Sequence, residues 1–217
     1  SFRGPFSVLQ AGILISEKSI DLAVPNPSWS QEMVHQFNRY MEMTKDGRWQ
    51  KLFPFFLSFF LSFFLSFFLS FFLSFFLSFF LSFSLIDEEG KGFEYAMFLK
   101  PSEKRVAAVF QLGPYLEGPS GFAHGGAIAT ILDSTVGASV IYISRRVVTA
   151  NLNINYKSPV ELGSVILVDT RVDKIEGRKI FASGEVWSVD GQTLHAEATG
   201  LFIELQPQKE TDSSSSP

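Results

Sequence analysis

The chain has 217 residues, 46% of them hydrophobic, and a formal net charge of −4 at pH 7. This length allows one sizeable hydrophobic core, or a core with a small extension, and the mild acidity gives no electrostatic footprint for a nucleic-acid partner. The sequence contains no cysteine, which excludes thiolate metal sites and a cysteine nucleophile.

A helix is predicted near the start of the chain, after the break at the sequence PNPS. Ser28 and Gln31 have the spacing of a capping box, which predicts a helix that runs to about Lys45. Its apolar face would be formed by Met33, Phe37, Tyr40 and Met41. We expect residues 1–50 to form an N-terminal extension whose one helix packs on the main domain.

Residues 55–82 are seven uninterrupted copies of the sequence FFLS. Their length and apolarity meet the criterion of roughly 20 residues for a membrane span, but the flanks lack the aromatic and charged belt of an anchor. As a helix in water the tract would be apolar on every side. Because a tetranucleotide repeat in a gene translates into such a repeat in every reading frame, we interpret residues 51–85 as a gene-model artefact or a linker.

Two strands joined by a polar turn are predicted after the repeat, over residues 92–100 and 105–113. The next segment, residues 118–140, reads GPSGFAHGGAIATILDSTVGASV and combines a Pro- and Gly-rich loop with a helical pattern. Asp133 is the only formally charged side chain between His124 and Arg145. Burying a carboxylate unpaired costs roughly several kcal/mol, so it must find a partner, shift its pKa or line a cavity. Asp133 is therefore the first candidate for chemistry.

The glycines at the start of this helix suit an oxyanion-type donor site. The first N–H groups of a helix are unpaired and lie at the positive end of its dipole, and Gly125 and Gly126 permit close approach of another molecule. Asp133 lies seven residues beyond Gly126, or about 10 Å along the axis. One carbonyl group cannot reach both from a single helix, so joint action predicts a symmetric dimer with two composite sites.

Four further strands are predicted over residues 147–159, 164–175, 179–189 and 193–205. Glu176-Gly177 and Asp190-Gly191 are tight-hairpin signals between the last three. Two strands, one long buried helix and four strands in a meander predict an α+β fold, with an antiparallel sheet wrapped around the helix over residues 86–206. The Ser-rich tail, residues 207–217, is expected to be disordered.

Three segments, HGGAIATILDSTVG, VVTANLNINYKSPV and DKIEGRK, together resemble the hotdog-fold acyl-coenzyme A thioesterases of the thioesterase superfamily member 4 and member 5 type. The resemblance covers about residues 21–46 and 86–206, and the sequences VPNPSW and GPYLEG strengthen it. It implies a hotdog fold, a homodimer or higher oligomer, and fatty acyl-CoA as the substrate. Coenzyme A is then part of the substrate, and no separate cofactor or metal is expected.

The resemblance also implies roles for particular residues. Thr149 matches a threonine that lies near the carboxylate and helps to hold the attacking water; an ordinary strand position is the alternative. A second group matches positions that contact the coenzyme, and basic groups beside strand ends suit phosphates, although a solvated sheet edge would look the same. This group comprises Asn155, Lys157, Arg178 and Lys179.

The three histidines receive different interpretations. His124 either positions the helix start or contacts the substrate, and both roles stay open, just as Gly125 and Gly126 serve either oxyanion donation or close packing. His35 is interpreted as a solvated or capping residue because no metal-type cluster surrounds it. His195, on a late strand, is interpreted as structural.

The implied reaction is hydrolysis of medium- to long-chain fatty acyl-CoA without a covalent serine or cysteine. Asp133 acts as general base on a water, or attacks the thioester directly through an anhydride. Two alternatives stay open: a non-catalytic regulator that binds acyl-CoA or, by resemblance, an Akt-type protein kinase, and a dehydratase by analogy of fold. In dehydratases of this fold, however, the histidine and the acid are paired differently.

Localisation follows from the resemblance alone, which implies a mitochondrial protein with some cytoplasmic or membrane-associated pool. The first residue is Ser1 rather than Met, and we expect a fragment or a processed chain. Membrane association would depend on the FFLS repeat being translated.

Overall fold

The computed structural model describes residues 23–52, 89–144 and 146–205. The first helix, α1, is followed by a short strand, and a longer helix, α2, separates two groups of strands. The elements in chain order are α1 Gln31–Thr44, β1 Gln50–Leu52, β2 Phe93–Lys100, β3 Arg105–Leu112, α2 Gly125–Ile141, β4 Val147–Tyr156, β5 Val165–Glu176, β6 Lys179–Ser188 and β7 Leu194–Glu204. The FFLS repeat and the C-terminal tail lie outside the described residues.

The described strands form one antiparallel sheet in the order β1-β2-β3-β5-β6-β7-β4. The predicted meander of four strands is wrong for β4, which pairs with β7 at the edge of the sheet, whereas β5 pairs with β3. The tight-hairpin signals lie only between β5, β6 and β7, where Gly177 and Gly191 have φ values of +57° and +71°. No such turn joins β4 to β5, so the chain is free to carry β4 to the far edge.

Helix α2 lies against one face of this sheet. Its side chains are apolar almost all round, and the cluster that buries it includes Ile131 and Leu132 from the helix and Val106, Phe110 and Val168 from β3 and β5. The sheet therefore wraps around a long buried helix, which confirms the predicted α+β architecture. In the described part of the chain, no helix is both long and apolar enough to cross a membrane.

Helix α1 packs on the opposite face of β2, β3 and β5. Met33 and Phe37 are buried there against Phe98 and Val109, as the predicted apolar face requires. The predicted N-cap is wrong: the helix begins two residues later than a cap at Ser28 would place it, and the Ser30 hydroxyl accepts a hydrogen bond from the Met33 N–H at 3.2 Å.

The loop before α1 is attached to the sheet by two polar side chains. The Glu94 carboxylate accepts a hydrogen bond from the Trp29 indole N–H at 2.6 Å. The buried Gln111 amide accepts from the Ser30 N–H at 2.8 Å and donates to the Ser28 carbonyl at 2.9 Å. The Gln111 side chain thus provides hydrogen-bond partners for two backbone groups of the loop. Because the Ser28 carbonyl is bound to Gln111, Ser28 lies before the helix, and Ser30 serves as the N-cap.

Candidate active site

The start of α2 is capped by His124. The residue has extended backbone geometry, with φ −64° and ψ 138°, and its Nδ1 accepts a hydrogen bond from the Gly126 N–H at 2.9 Å. Of the two roles predicted for His124, the structure shows helix capping. The same N–H is the predicted oxyanion donor, so a substrate carbonyl oxygen would have to take the place of the imidazole nitrogen at Gly126.

Asp133 lies on the side of α2 that faces the beginning of β4. The Thr149 hydroxyl donates a hydrogen bond to Asp133 Oδ1 at 3.2 Å. Burial raises the pKa of the Asp133 carboxyl above its ordinary value, and the Thr149 hydrogen bond acts in the opposite direction with a smaller effect. A carboxylate with a raised pKa is a stronger base than an exposed aspartate.

A β-bulge orients Thr149 toward the helix. The pairing of β4 with β7 shifts register between Thr149 and Asn151, and bulges of this kind redirect side chains next to active sites. Beyond the bulge, Leu152 and Ile154 pack toward α2, whereas Asn151 is exposed. The contact between Thr149 and Asp133 therefore depends on a local irregularity of the edge strand.

A cavity of about 270 Å³ opens beside the start of α2. Ile128 and Val160 supply apolar lining, and Tyr156, Lys157 and His195 supply polar groups. The Tyr156 hydroxyl donates a hydrogen bond to the Gly125 carbonyl oxygen at 2.9 Å. The cavity lining therefore combines apolar side chains with a few polar groups, a composition that ligand sites share.

Two residues of this cavity were missed or given a narrower role by sequence reasoning. The sequence predicts a structural role for His195; its Nδ1 lies 3.4 Å from the Ser158 carbonyl oxygen, and the side chain also lines the cavity. Tyr156 was not singled out. Its alternation with Leu152 and Ile154 places all three on the helix-facing side of the strand, and this pattern could have identified it.

The predicted coenzyme contacts fall into two separate groups. Lys157 lines the cavity, and its ammonium group lies 2.9 Å from Glu197 Oε1, which also accepts from the Asn155 amide at 3.3 Å. Arg178 lies in the β5–β6 turn, where its Nε donates to the Glu204 carbonyl at 2.9 Å, and Lys179 follows it.

Within one chain the two groups are far apart. Glu204 pairs with Val147 at the beginning of β4, whereas Asn155 lies near the end of that strand. This separation corresponds to about 25 Å at roughly 3.3 Å per residue. Asp133 and the start of α2 are likewise separated, by about 10 Å. Within the chain the predicted site residues thus form two separate groups, one at each end of β4.

The described residues contain no cluster of side chains suited to binding a metal ion. Within residues 23–52, 89–144 and 146–205, no three His, Cys, Asp or Glu side chains are placed to hold a metal ion.

Comparison with known proteins gives consistent matches. The sequence model of the thioesterase superfamily matches residues 120–195. Acyl-coenzyme A thioesterase THEM4 of Xenopus laevis is 43% identical over 86% of this chain and 82% of the relative. Acyl-coenzyme A thioesterase THEM5 of Mus musculus is 38% identical over 88% of this chain and 77% of the relative. The crystal structure of zebrafish thioesterase superfamily member 2 is 21% identical, with a TM-score of 0.47 over 58% of this chain and 94% of that one.

Proposed function

Because this chain belongs to the family of acyl-coenzyme A thioesterases that includes THEM4 and THEM5, we propose that it hydrolyses medium- to long-chain fatty acyl-CoA to free fatty acid and CoA. The observation that carries the proposal is the hydrogen-bonded pair of Asp133 and Thr149. A partly buried carboxylate of raised pKa on an apolar helix is the kind of group that serves as a general base.

In the proposed reaction Asp133 removes a proton from a water whose oxygen attacks the thioester carbonyl carbon. The tetrahedral intermediate then expels the CoA thiolate as the C–S bond breaks, and the proton passes to the departing sulfur. The Thr149 hydroxyl holds one carboxylate oxygen at 3.2 Å, so the other oxygen is directed at the water. No covalent acyl-enzyme is required.

The Gly126 N–H is the proposed hydrogen-bond donor to the substrate carbonyl oxygen. In the structure this N–H donates to His124 Nδ1. The substrate carbonyl oxygen replaces that nitrogen, and the N–H at the positive end of the helix dipole stabilises the negative charge that develops on the oxygen. His124 thereby keeps the donor oriented until the substrate arrives.

A homodimer brings this donor and Asp133 together. Strand β4 is a ten-residue edge strand whose only partner among the described strands is β7. Antiparallel pairing of β4 with a second copy around a two-fold axis sets the beginning of one strand beside the end of the other. Asp133 contacts the beginning of β4 and Gly125 contacts its end. The pairing therefore brings Asp133 of one chain to the helix start of its partner.

The same pairing unites the two groups of predicted coenzyme contacts. Arg178 and Lys179 lie level with the beginning of β4, with β7 between them and that strand, and Asn155 and Lys157 lie at its end. In the dimer the first pair from one chain approaches the second pair from the other. Cationic groups gathered in this way suit the phosphates of coenzyme A, which makes each site dependent on both chains.

Steady-state hydrolysis of a panel of acyl-CoA thioesters of increasing chain length tests the proposal. We expect Asp133→Asn to lower kcat by roughly 10²- to 10⁴-fold, the usual contribution of a general base. Asp46→Asn, the same change at an exposed carboxylate in the turn after α1, is the matched control and should leave the rate unchanged. Binding of acyl-CoA without hydrolysis by the wild type would instead indicate a non-catalytic regulator.

A further inference from the structure

Tyr156 connects the edge strand to the peptide that carries the predicted oxyanion donor. It is the last residue of β4, and its hydroxyl lies 2.9 Å from the Gly125 carbonyl oxygen. Its ring lies over Gly125 closely enough that a Cβ on that glycine would be 3.7 Å from two ring carbons. With 55% of its surface exposed in the single chain, Tyr156 is not held in this place by burial alone.

The Gly125 carbonyl and the Gly126 N–H belong to one planar peptide group. Any group that fixes the direction of the carbonyl oxygen also fixes the direction of the N–H. A hydrogen bond to the oxygen polarises the peptide as well, and chains of hydrogen bonds strengthen one another by an estimated 10–30% per bond. The Gly125–Gly126 peptide thus accepts a hydrogen bond from the Tyr156 hydroxyl at its oxygen and donates one to His124 Nδ1 from its N–H.

We infer that Tyr156 is a positioning residue for thioester hydrolysis, which orients and polarises the Gly125–Gly126 peptide so that the Gly126 N–H can stabilise the oxyanion. The inference rests on the proposed function of that N–H. An ordinary tyrosine phenol has a pKa of about 10, and burial raises the pKa of Tyr156 further, so the hydroxyl is protonated and can donate at neutral pH.

Strand β4 then supplies two positioning side chains for the reaction. Thr149 near its beginning directs the Asp133 carboxylate, and Tyr156 at its end directs the peptide at the helix start. When β4 pairs with its copy, Tyr156 of one chain and Thr149 of the other serve the same active site. Replacing the tyrosine by phenylalanine keeps the ring that lines the cavity and removes only the hydrogen bond to the Gly125 carbonyl, so the change should act mainly on the chemical step.

The test is Tyr156→Phe, which keeps the ring and removes only the hydroxyl. Loss of a complete oxyanion donor costs about 10²- to 10³-fold in kcat; because this change weakens the donor without deleting it, we expect about a tenfold loss in kcat with KM changed less than about twofold. Tyr142→Phe removes a phenol that is 51% exposed beyond the other end of α2, and it should leave both parameters unchanged.

A second measurement does not depend on activity. The chain has 16 glycines, so selective ¹⁵N-glycine labelling gives a small set of amide signals. In Tyr156→Phe we expect the Gly126 signal to shift and its hydrogen exchange to quicken, and in Tyr142→Phe we expect neither. An unchanged Gly126 signal would overturn the inference, as would an unchanged kcat or a loss confined to KM. If the wild type hydrolyses no acyl-CoA, the proposed function fails, and the Gly126 signal still decides whether Tyr156 orients the peptide.

Discussion

If each active site is built from two chains, as proposed, two chains that are inactive as homodimers should regain activity when they form a heterodimer. Asp133→Asn removes the base, and Gly126→Pro removes the donor N–H at the second position of α2, where the first turn of a helix accepts proline. In a heterodimer of these chains, one site combines both defects. The other site is intact, because it takes Asp133 from the Gly126→Pro chain and Gly126 from the Asp133→Asn chain. With one of two sites working, the activity should be about half that of the wild-type dimer.

Co-expression of the two chains with different affinity tags, followed by tandem purification, isolates the heterodimer for an acyl-CoA hydrolysis assay. The matched control joins a wild-type chain to a chain that carries both substitutions. Under the composite arrangement each of its sites has one defect, and the heterodimer should be inactive. If each chain instead formed its own site, the control would keep about half of the activity and the first heterodimer would have none. That reversal would refute the pairing through β4.

Two further predictions concern the Asp133 carboxyl. Burial raises the folded-state pKa of this carboxyl from its ordinary value of 3.8, so its protonation stabilises the fold. This stability is lost as pH rises from about 3.8 through the folded-state pKa. Asp133→Asn should therefore raise the melting temperature at pH 8 and much less near pH 4, as thermal unfolding would show; a larger gain at the acidic pH would contradict the burial argument. Thr149→Val removes the hydrogen bond that lowers this pKa, so the acid limb of the kcat/KM profile should move to higher pH, and an unmoved limb would mean that Thr149 does not contact the base in the active enzyme.

Local patterns predicted the elements of this fold well. The helical spacing of Met33 and Phe37 identified the buried face of α1, and the Glu-Gly and Asp-Gly pairs identified the two tight turns between β5, β6 and β7. The isolated charge of Asp133 on an apolar helix identified a group whose pKa is shifted by burial. These features depend on residues close in sequence, whose spacing reflects helix and strand geometry directly.

Features that depend on distant residues were predicted less well. The N-cap of α1 is Ser30 rather than Ser28 because Gln111, on β3, holds both ends of that short segment. The importance of Tyr156 is visible only once β4 lies beside the start of α2. In each case the deciding partner is more than 30 residues away along the chain.

By itself, the sequence determined the order of the two helices and of strands β2 to β7, though not the short strand β1, together with the apolar helix, its single carboxylate and the glycine pair at the helix start, since all of these are properties of short segments. Only the tertiary structure decided which strand lies at the edge. The hydrogen bonds of a sheet can be satisfied by any strand of suitable length, and here β4 pairs with β7, to which no turn connects it directly. That choice places Thr149 and Tyr156 at opposite ends of a strand whose other side meets no further strand among the described residues, and this is the edge through which we propose that two chains pair.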